Sequence, residues 1–394
     1  MSSPLAGVRV LELTTSLAGP YATLILGALG ADVVKIEPPG RGDDTRAWGP
    51  PFWDGESATY LAANASKRSV ALALRSPEGR EAVLRLAERS DVLVQNLRPG
   101  LVETLGLGFD DVAARSPRIV YCSIGAFGNV GPLRDRPGYD PLMQAAGGIM
   151  SVTGEPGRPP ARAGISVVDQ GTGMWAALAV LAALRLRDAG AGAQRIDLSL
   201  YETAVNWLPY QIAGYLGSGR VPGPLGSTIG IIAPYQAFEA TDGWLMVAAG
   251  NDRLFAALCA ELGLPELADA PRFGTNPDRV ANREELAALL AERFRTDSLA
   301  VWLERLDGAG VPAAPVQDLA QVVAHEQTAA LGLLQEVPHP SVPDLRLVGL
   351  PLSFAGERVA HRGPPPGLGG HSRELLAEVG YTGEEIDRLL GAEA

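Results

Sequence analysis

Over the first 200 residues, short runs of branched and aromatic side chains alternate with longer amphipathic stretches. Val8–Leu13, Asp32–Glu37, Ser69–Leu74, Asp91–Gln95 and Arg118–Ser123 are near-continuous apolar runs of strand length, bounded by turn or cap residues. That pattern predicts strands buried on both faces. Between them Pro20–Leu29 and Pro77–Arg89 carry helical spacing, each with proline in the first turn. Strand–helix alternation implies an α/β fold with a mostly parallel sheet covered by helices on both faces. Ligands of such sheets bind outside the carboxyl ends of the strands. A long helix from Gln170 to Arg187, a strand at Gln194–Leu198 and a helix at Tyr201–Gly217 complete this part.

The texture then changes. Residues 217–230 are rich in glycine and proline and read as a linker or lid loop. Ala233–Ala240 and Trp244–Ala249 flank Thr241-Asp242-Gly243, a hairpin signal, and helical segments follow at Asp252–Leu262, Asn282–Phe294 and Ser298–Leu306. Residues 231–325 therefore form a smaller α+β domain, set between a large domain over 1–216 and a C-terminal part over 326–394. Prolines interrupt short β-rich pieces in 333–355, Pro364-Pro365-Pro366-Gly367 breaks the chain again, and Ser372–Val379 is helical.

Composition narrows the chemistry. Acidic residues outnumber basic ones 45 to 33, for a formal charge of −12, which offers no global attraction to nucleic acid or an anionic membrane. An anionic ligand must be met by a local basic patch. Two cysteines exclude a disulfide scaffold or a cysteine metal site. The start of the chain has no basic segment followed by an apolar one, and the longest apolar run, Met174–Leu184, is about half a membrane span. A soluble cytoplasmic protein is expected. Neither a P-loop nor a dinucleotide glycine fingerprint is present. All four histidines, from His325 onward, lie in the last quarter, and the only lysines are Lys35 and Lys67.

Asp169 is the leading candidate for chemistry. It precedes Gln170-Gly171-Thr172-Gly173 and an apolar helix, where free N–H groups and the helix dipole favour a carboxylate able to act as a nucleophile. An ordinary N-cap aspartate fits the same spacing. Gly171 and Gly173 would let a substrate approach the backbone. Asn96-Leu97-Arg98-Pro99-Gly100 sits where the fourth strand should end, so Arg98 could pair with a phosphate and Asn96 could read a base or sugar edge, or the segment could be a solvated turn. Asn64–Ser69, Arg41 and Arg46 add positive charge to the same edge. Asp140 could cap a helix starting at Pro141.

Taken together, these stretches resemble the family III CoA-transferases, the CaiB/BaiF family. The likeness runs through Leu5-Ala6-Gly7-Val8-Arg9-Val10-Leu11-Glu12, Ala18-Gly19-Pro20, Gly30-Ala31-Asp32-Val33-Val34-Lys35-Ile36-Glu37 and Lys67-Arg68-Ser69. It continues with Asn96–Gly100, Pro137-Gly138-Tyr139-Asp140, Asp169 with Gly173, Ala233–Phe238, Pro271-Arg272-Phe273 and Pro366–His371. The resemblance implies a Rossmann-like large domain with an inserted smaller domain, in a homodimer of interlocked rings. It also implies a CoA-transferase that passes CoA from an acyl-CoA donor to a carboxylic acid acceptor, with no metal and no cofactor beyond CoA as substrate. By that resemblance Asp169 is the nucleophile, passing through a mixed anhydride and an aspartyl-CoA thioester. CoA contacts fall on Leu17, Ala18, Leu72, Ala73, Leu74, Arg75, Asn96, Leu97, Arg98, Arg136, Pro137, Gly138 and Tyr139. Substrate contacts fall on Asp140 and on Gly226, Ser227, Thr228, Ile229 and Gly230, which match the glycine-rich lid of the formyl-CoA transferases. Leu17, where those enzymes have glutamine, and the altered lid argue against an oxalate–formate pair. Leu17 also favours a substrate with a hydrocarbon part over a small dicarboxylate. The α-methylacyl-CoA racemases share the fold but need a histidine just before the Tyr139 region, and none occurs before His325. A non-catalytic CoA-binding relative would lack Asp169.

Overall fold

The computed structural model describes residues 3–391. Its central sheet has six strands, all parallel: β1 (Arg9–Leu13), β2 (Asp32–Glu37), β3 (Lys67–Ala71), β4 (Val92–Gln95), β5 (Val120–Gly125) and β6 (Gln194–Ser199). Their spatial order is β3-β2-β1-β4-β5-β6, the doubly wound order in which the winding reverses between β1 and β4. The inner strands β1 and β4 are almost wholly buried, which explains their unbroken apolar runs, whereas edge strand β6 alternates with polar, exposed positions. β3 begins two residues earlier than expected, at Lys67, because Lys67 pairs in register with Val33.

Helix α1 (Ala18–Ala28) starts on Gly19-Pro20 and ends before Gly30, whose φ of +113° suits glycine. Helix α2 spans Asp140–Ala146. Helix α3 (Val167–Asp188) starts three residues earlier than expected and stops before Gly190 at φ +102°. By length and composition alone α3 could cross a membrane. One face packs inside the larger unit, where Val168, Thr172, Ala176, Val180 and Leu184 are buried, while Met174, Trp175, Leu178 and Leu186 are exposed. The helix expected over Tyr201–Gly217 is two, α4 (Leu200–Asn206) and α5 (Pro209–Ser218), because Pro209 has no N–H to continue the ladder.

α1 and α3 pack against each other through Gly173. A Cβ there would stand 2.7 Å from the Ala18 carbonyl oxygen and 3.1 Å from the Ala22 nitrogen, both backbone atoms that cannot swing aside. Gly173→Ala should therefore cost about 1–3 kcal/mol by overpacking, read as a lower urea midpoint. An unchanged midpoint would show that the two helices separate freely.

By its contacts the chain divides into two compact units. Met1–Ile149, Ala163–Ala213 and Glu326–Ala394 make the larger, and Met150–Arg162 with Gly214–His325 the smaller. The segments 150–162 and 217–230, placed by sequence in the large domain and in a linker, both belong to the smaller unit. In the larger, Leu375 and Leu376 from the C-terminal part join a core with Leu11, Val34, Val70 and Leu93. Ser372 and His371 accept hydrogen bonds from the backbone of β3 at Ala71 and Ser69.

In the smaller unit, β7 (Tyr235–Ala240) and β8 (Gly243–Ala248) form the expected hairpin with Ala240 opposite Gly243, and β9 (Ala313–Pro315) pairs antiparallel to β8. Phe238 stacks on Phe294 at 4.7 Å, and Trp302 meets Phe294 edge-on. Fully buried Arg279 donates to the carbonyls of Ala233 and Phe273 and to Asp252.

Candidate active site

The parallel sheet delivers the ends of β1, β3 and β4, with their following loops, to one edge. Leu17 caps α1 just after β1, Leu72–Arg75 follow β3, and Asn96–Arg98 follow β4. Beside them a cleft of about 250 Å3 opens at the ends of β4, β5 and β6, lined by Leu97, Arg98, Ser123, Asn129, Arg134 and Arg195. Arg134 and Arg195 pair with Asp135 and Asp197, while Arg98 is exposed and pairs with no carboxylate among the described residues. Among the arginines of this cleft Arg98 is thus the one most available to a phosphate. Asn129, Arg134 and Arg195 escaped sequence reasoning, because only the strand order brings them beside β4.

Asp169 stands at the third position of α3, not at its cap. Ser166 occupies the cap without a side-chain bond. Capping comes instead from Asp140 on α2: one carboxylate oxygen accepts from Val168 N at 2.8 Å and Asp169 N at 3.1 Å, and the other accepts from Gln144 at 2.6 Å. Asp140 is buried with both oxygens engaged, so the expected substrate contact there is corrected: it positions the helix that carries Asp169, and it caps α3 rather than the helix at Pro141.

The Asp169 carboxyl is half-buried. Burial, and then the like charge of Asp140, raise it from the ordinary 3.8 to about 7. This reverses the expectation that its ionised form is simply favoured. The result is a more basic carboxylate, still substantially ionised near neutral pH, which suits a nucleophile. Nor are Gly171 and Gly173 openings for substrate. A Cβ at Gly171 would meet the Trp207 indole at 2.7 Å, so Trp207 and the Ala18 backbone already occupy those spaces.

Other expected contacts sort clearly. Leu72 is a fully buried core residue, with Leu74 packed against the same core, so the Leu72 side chain is not available to a ligand. Arg75, Arg136, Pro137 and Tyr139 are exposed; Gly138 sits tight, since a Cβ would come within 2.7 Å of Met143. The basic run at 64–69 does not reach the ligand edge. Arg68 pairs with Asp32, Glu374 and Glu378, and Arg46 pairs with Glu37. Lys67 is buried on Glu12 at 3.0 Å, the Pro20 carbonyl and Asn64. Lys35 joins Glu12 at 2.7 Å to Asp43 at 2.8 Å. Burial would raise Glu12, but Lys35 and Lys67 outweigh it and hold its carboxyl at about 2. Burial lowers Lys67 to about 8 despite Glu12. Of this group Arg41 alone is free enough to meet a ligand, with its guanidinium 3.8 Å from exposed Asp44.

Gly226–Gly230 lies in the smaller unit, fastened at several points. Ser227 accepts from Ala237 N at 3.0 Å, and Arg283 donates to the Gly230 carbonyl at 2.6 Å and to that of Ile229 at 3.4 Å. Thr228 reaches Gln236 at 3.4 Å, and Gly226 adopts φ +62° against Glu155.

The model of CoA-transferase family III matches residues 5–372. Succinyl-CoA:glutarate CoA-transferase of Homo sapiens is 40% identical over 99% of this chain and 89% of its own length. Succinate–glutarate CoA-transferase of Agrobacterium fabrum is 37% identical over 98% and 97%. A crystal structure of a CAIB/BAIF family protein from Brucella suis superposes with a TM-score of 0.87 at 39% identity, covering 96% of this chain and all of that one. With a parallel sheet, a polar cleft at its carboxyl edge and a basic aspartate at a helix start, the chain belongs to the family III CoA-transferases.

Proposed function

We propose that the chain transfers CoA from succinyl-CoA to a longer dicarboxylate of the glutarate type, using Asp169 as a covalent carrier. The observation that carries this reading is the Asp169 carboxyl, raised to about 7 in the first turn of α3. Its carboxylate attacks the thioester carbonyl and expels CoA thiolate, leaving a mixed succinyl–aspartyl anhydride. The thiolate then attacks the aspartyl carbonyl, releasing succinate and forming an aspartyl-CoA thioester. Glutarate attacks that thioester and frees the thiolate again. Attack of the thiolate on the glutaryl carbonyl yields glutaryl-CoA and restores the Asp169 carboxylate. Each anhydride lies above the thioesters on either side of it, but the overall exchange of one thioester for another is near energetic balance, and no carbon changes oxidation state. Arg98 at the cleft meets a CoA phosphate, with Leu17, Ala18, Arg75 and Arg136–Tyr139 forming the remaining contacts around it.

The acid pair rests on the likeness to the succinate–glutarate enzymes. Leu17, half-buried at the start of α1, suits the methylene chain of glutarate better than oxalate. The family's interlocked dimer, with the smaller unit inserted into the larger, is part of the same reading. Its support is α5: none of its residues is buried, and Tyr210, Tyr215 and Leu216 present an apolar face.

Purified protein given succinyl-CoA and glutarate should form glutaryl-CoA and succinate in equal amounts, read by mass. Exchange with acetate or oxalate but not glutarate would overturn the assigned acids. Absence of exchange with every acid would overturn the transfer chemistry.

A further inference from the structure

The loop from β1 to α1, residues 14–17, lies at the reversal point of the sheet and leads straight into the turn of α1 that touches α3. Its backbone is held from outside at four successive groups. Lys35 donates to the Thr14 carbonyl at 2.9 Å. Asn96, just past β4, accepts from Thr15 N at 2.9 Å and donates to the Thr15 carbonyl at 2.8 Å. Asp43 accepts from Ser16 N at 3.2 Å and is itself locked by Lys35 and Thr45. Ser16 has φ +68°, a left-handed backbone that a non-glycine residue keeps only when its surroundings enforce it. Beyond the loop, the Ala18 carbonyl lies against Gly173, one turn past Asp169.

We propose that the Asn96 side chain is a positioning group and not a nucleotide contact. Its amide clips Thr15 with both its oxygen and its nitrogen, forcing Ser16 into the left-handed region and fixing the backbone of Leu17 and Ala18 beside the nucleophile. The two loops that leave β1 and β4 in opposite directions are thereby tied together across the crevice where the thioester end of the substrate binds. This inference rests on the CoA-transfer reading with Asp169 as carrier.

The test compares two donors, succinyl-CoA and S-succinylpantetheine, which lacks the nucleotide. A misplaced loop beside the reacting carbon should lower kcat by about 10- to 100-fold in Asn96→Ala. That loss should be equal for both donors, with the KM for succinyl-CoA little changed. Asn96→Asp keeps the acceptor for Thr15 N but sets a carboxylate oxygen against the Thr15 carbonyl, so it should lose at least as much; Asn96→Ser, which removes the clip without that repulsion, carries the test if Asn96→Ala does not fold. Adding Ser16→Gly to Asn96→Ala or Asn96→Ser removes the left-handed penalty and should restore part of kcat, which a general loss of stability would not permit. A raised KM for succinyl-CoA with kcat intact and the truncated donor unaffected would make Asn96 a nucleotide contact and overturn the proposal. Failure of Ser16→Gly to restore any kcat would also overturn it. If the wild-type protein exchanges CoA from neither donor, the transfer reading falls, and this inference with it.

Discussion

Asp169→Ala should extinguish CoA exchange, by about four orders of magnitude or more, while succinyl-CoA still binds. On the proposed mechanism the substitution removes the group on which both covalent intermediates would form. It leaves the Asp140 cap and the cleft around Arg98 untouched, since Asp140 is bonded to the backbone N–H of residue 169 and not to its side chain. Titration calorimetry with CoA, beside an exchange assay, separates the two effects; exchange within tenfold of wild type would sink the assignment. The neutral variant Asp169→Asn adds a stability signature. The folded-state value near 7 lies above the ordinary 3.8, so the folded protein prefers this carboxyl protonated. That contribution is fully present below about pH 4 and is lost as pH rises through 7. Asp169→Asn should therefore stabilise the protein at pH 8, by about 1–2 kcal/mol after allowance for partial solvent screening, and have little effect at pH 4. Equal effects at both pH values would mean that the carboxyl is not strained.

Asp140→Asn should move the acid limb of the kcat–pH profile downward. On the proposed mechanism only the ionised Asp169 attacks, so wild-type activity should climb with pH through about 7 and level off above it. Removing the like charge of Asp140 lowers the Asp169 carboxyl, so the climb comes earlier. The plateau should fall as well, by about tenfold, because a less basic carboxylate is a poorer nucleophile. Asp140→Ala is the contrasting case. It strands the N–H groups of Val168 and Asp169, which should cost about 1–3 kcal/mol of stability, whereas asparagine keeps an acceptor for them. An acid limb unmoved in Asp140→Asn would mean that Asp140 only caps the helix.

Much of this is legible in the sequence where one local rule decides. The buried runs at Val8–Leu13 and Asp32–Glu37 can be little but strands of a covered sheet, and the Thr241-Asp242 turn fixes its hairpin. Asp169 stood out by its place near the start of a glycine-rich, apolar helix, where spacing alone fits an ordinary cap as well; the resemblance to the family singled it out. The partnership that tunes it was not legible. Asp140 and Asp169 are 29 residues apart, and local spacing has nothing to say about which helix a distant carboxylate will cap. The basic stretch at 64–69 misled for the same reason: a charge run looks solvated or ligand-facing until tertiary packing supplies Glu12 and Asp32 as its partners. Asn96 was legible as a ligand-edge residue by position, yet its hydrogen bonds go to Thr15 on another loop.

The chain's two lysines are both entirely buried in ion pairs with Glu12 and Asp43. An enzyme that handles acyl-CoA thioesters works beside electrophiles that acylate free amines without any catalyst. Here no side-chain amine meets the solvent. Arginine provides the surface positive charge, and its guanidinium stays protonated and unreactive toward thioesters. The arrangement leaves the protein's own surface inert to the reagent it carries, so acyl groups that escape the site do not accumulate on its side-chain amines and erode its charge.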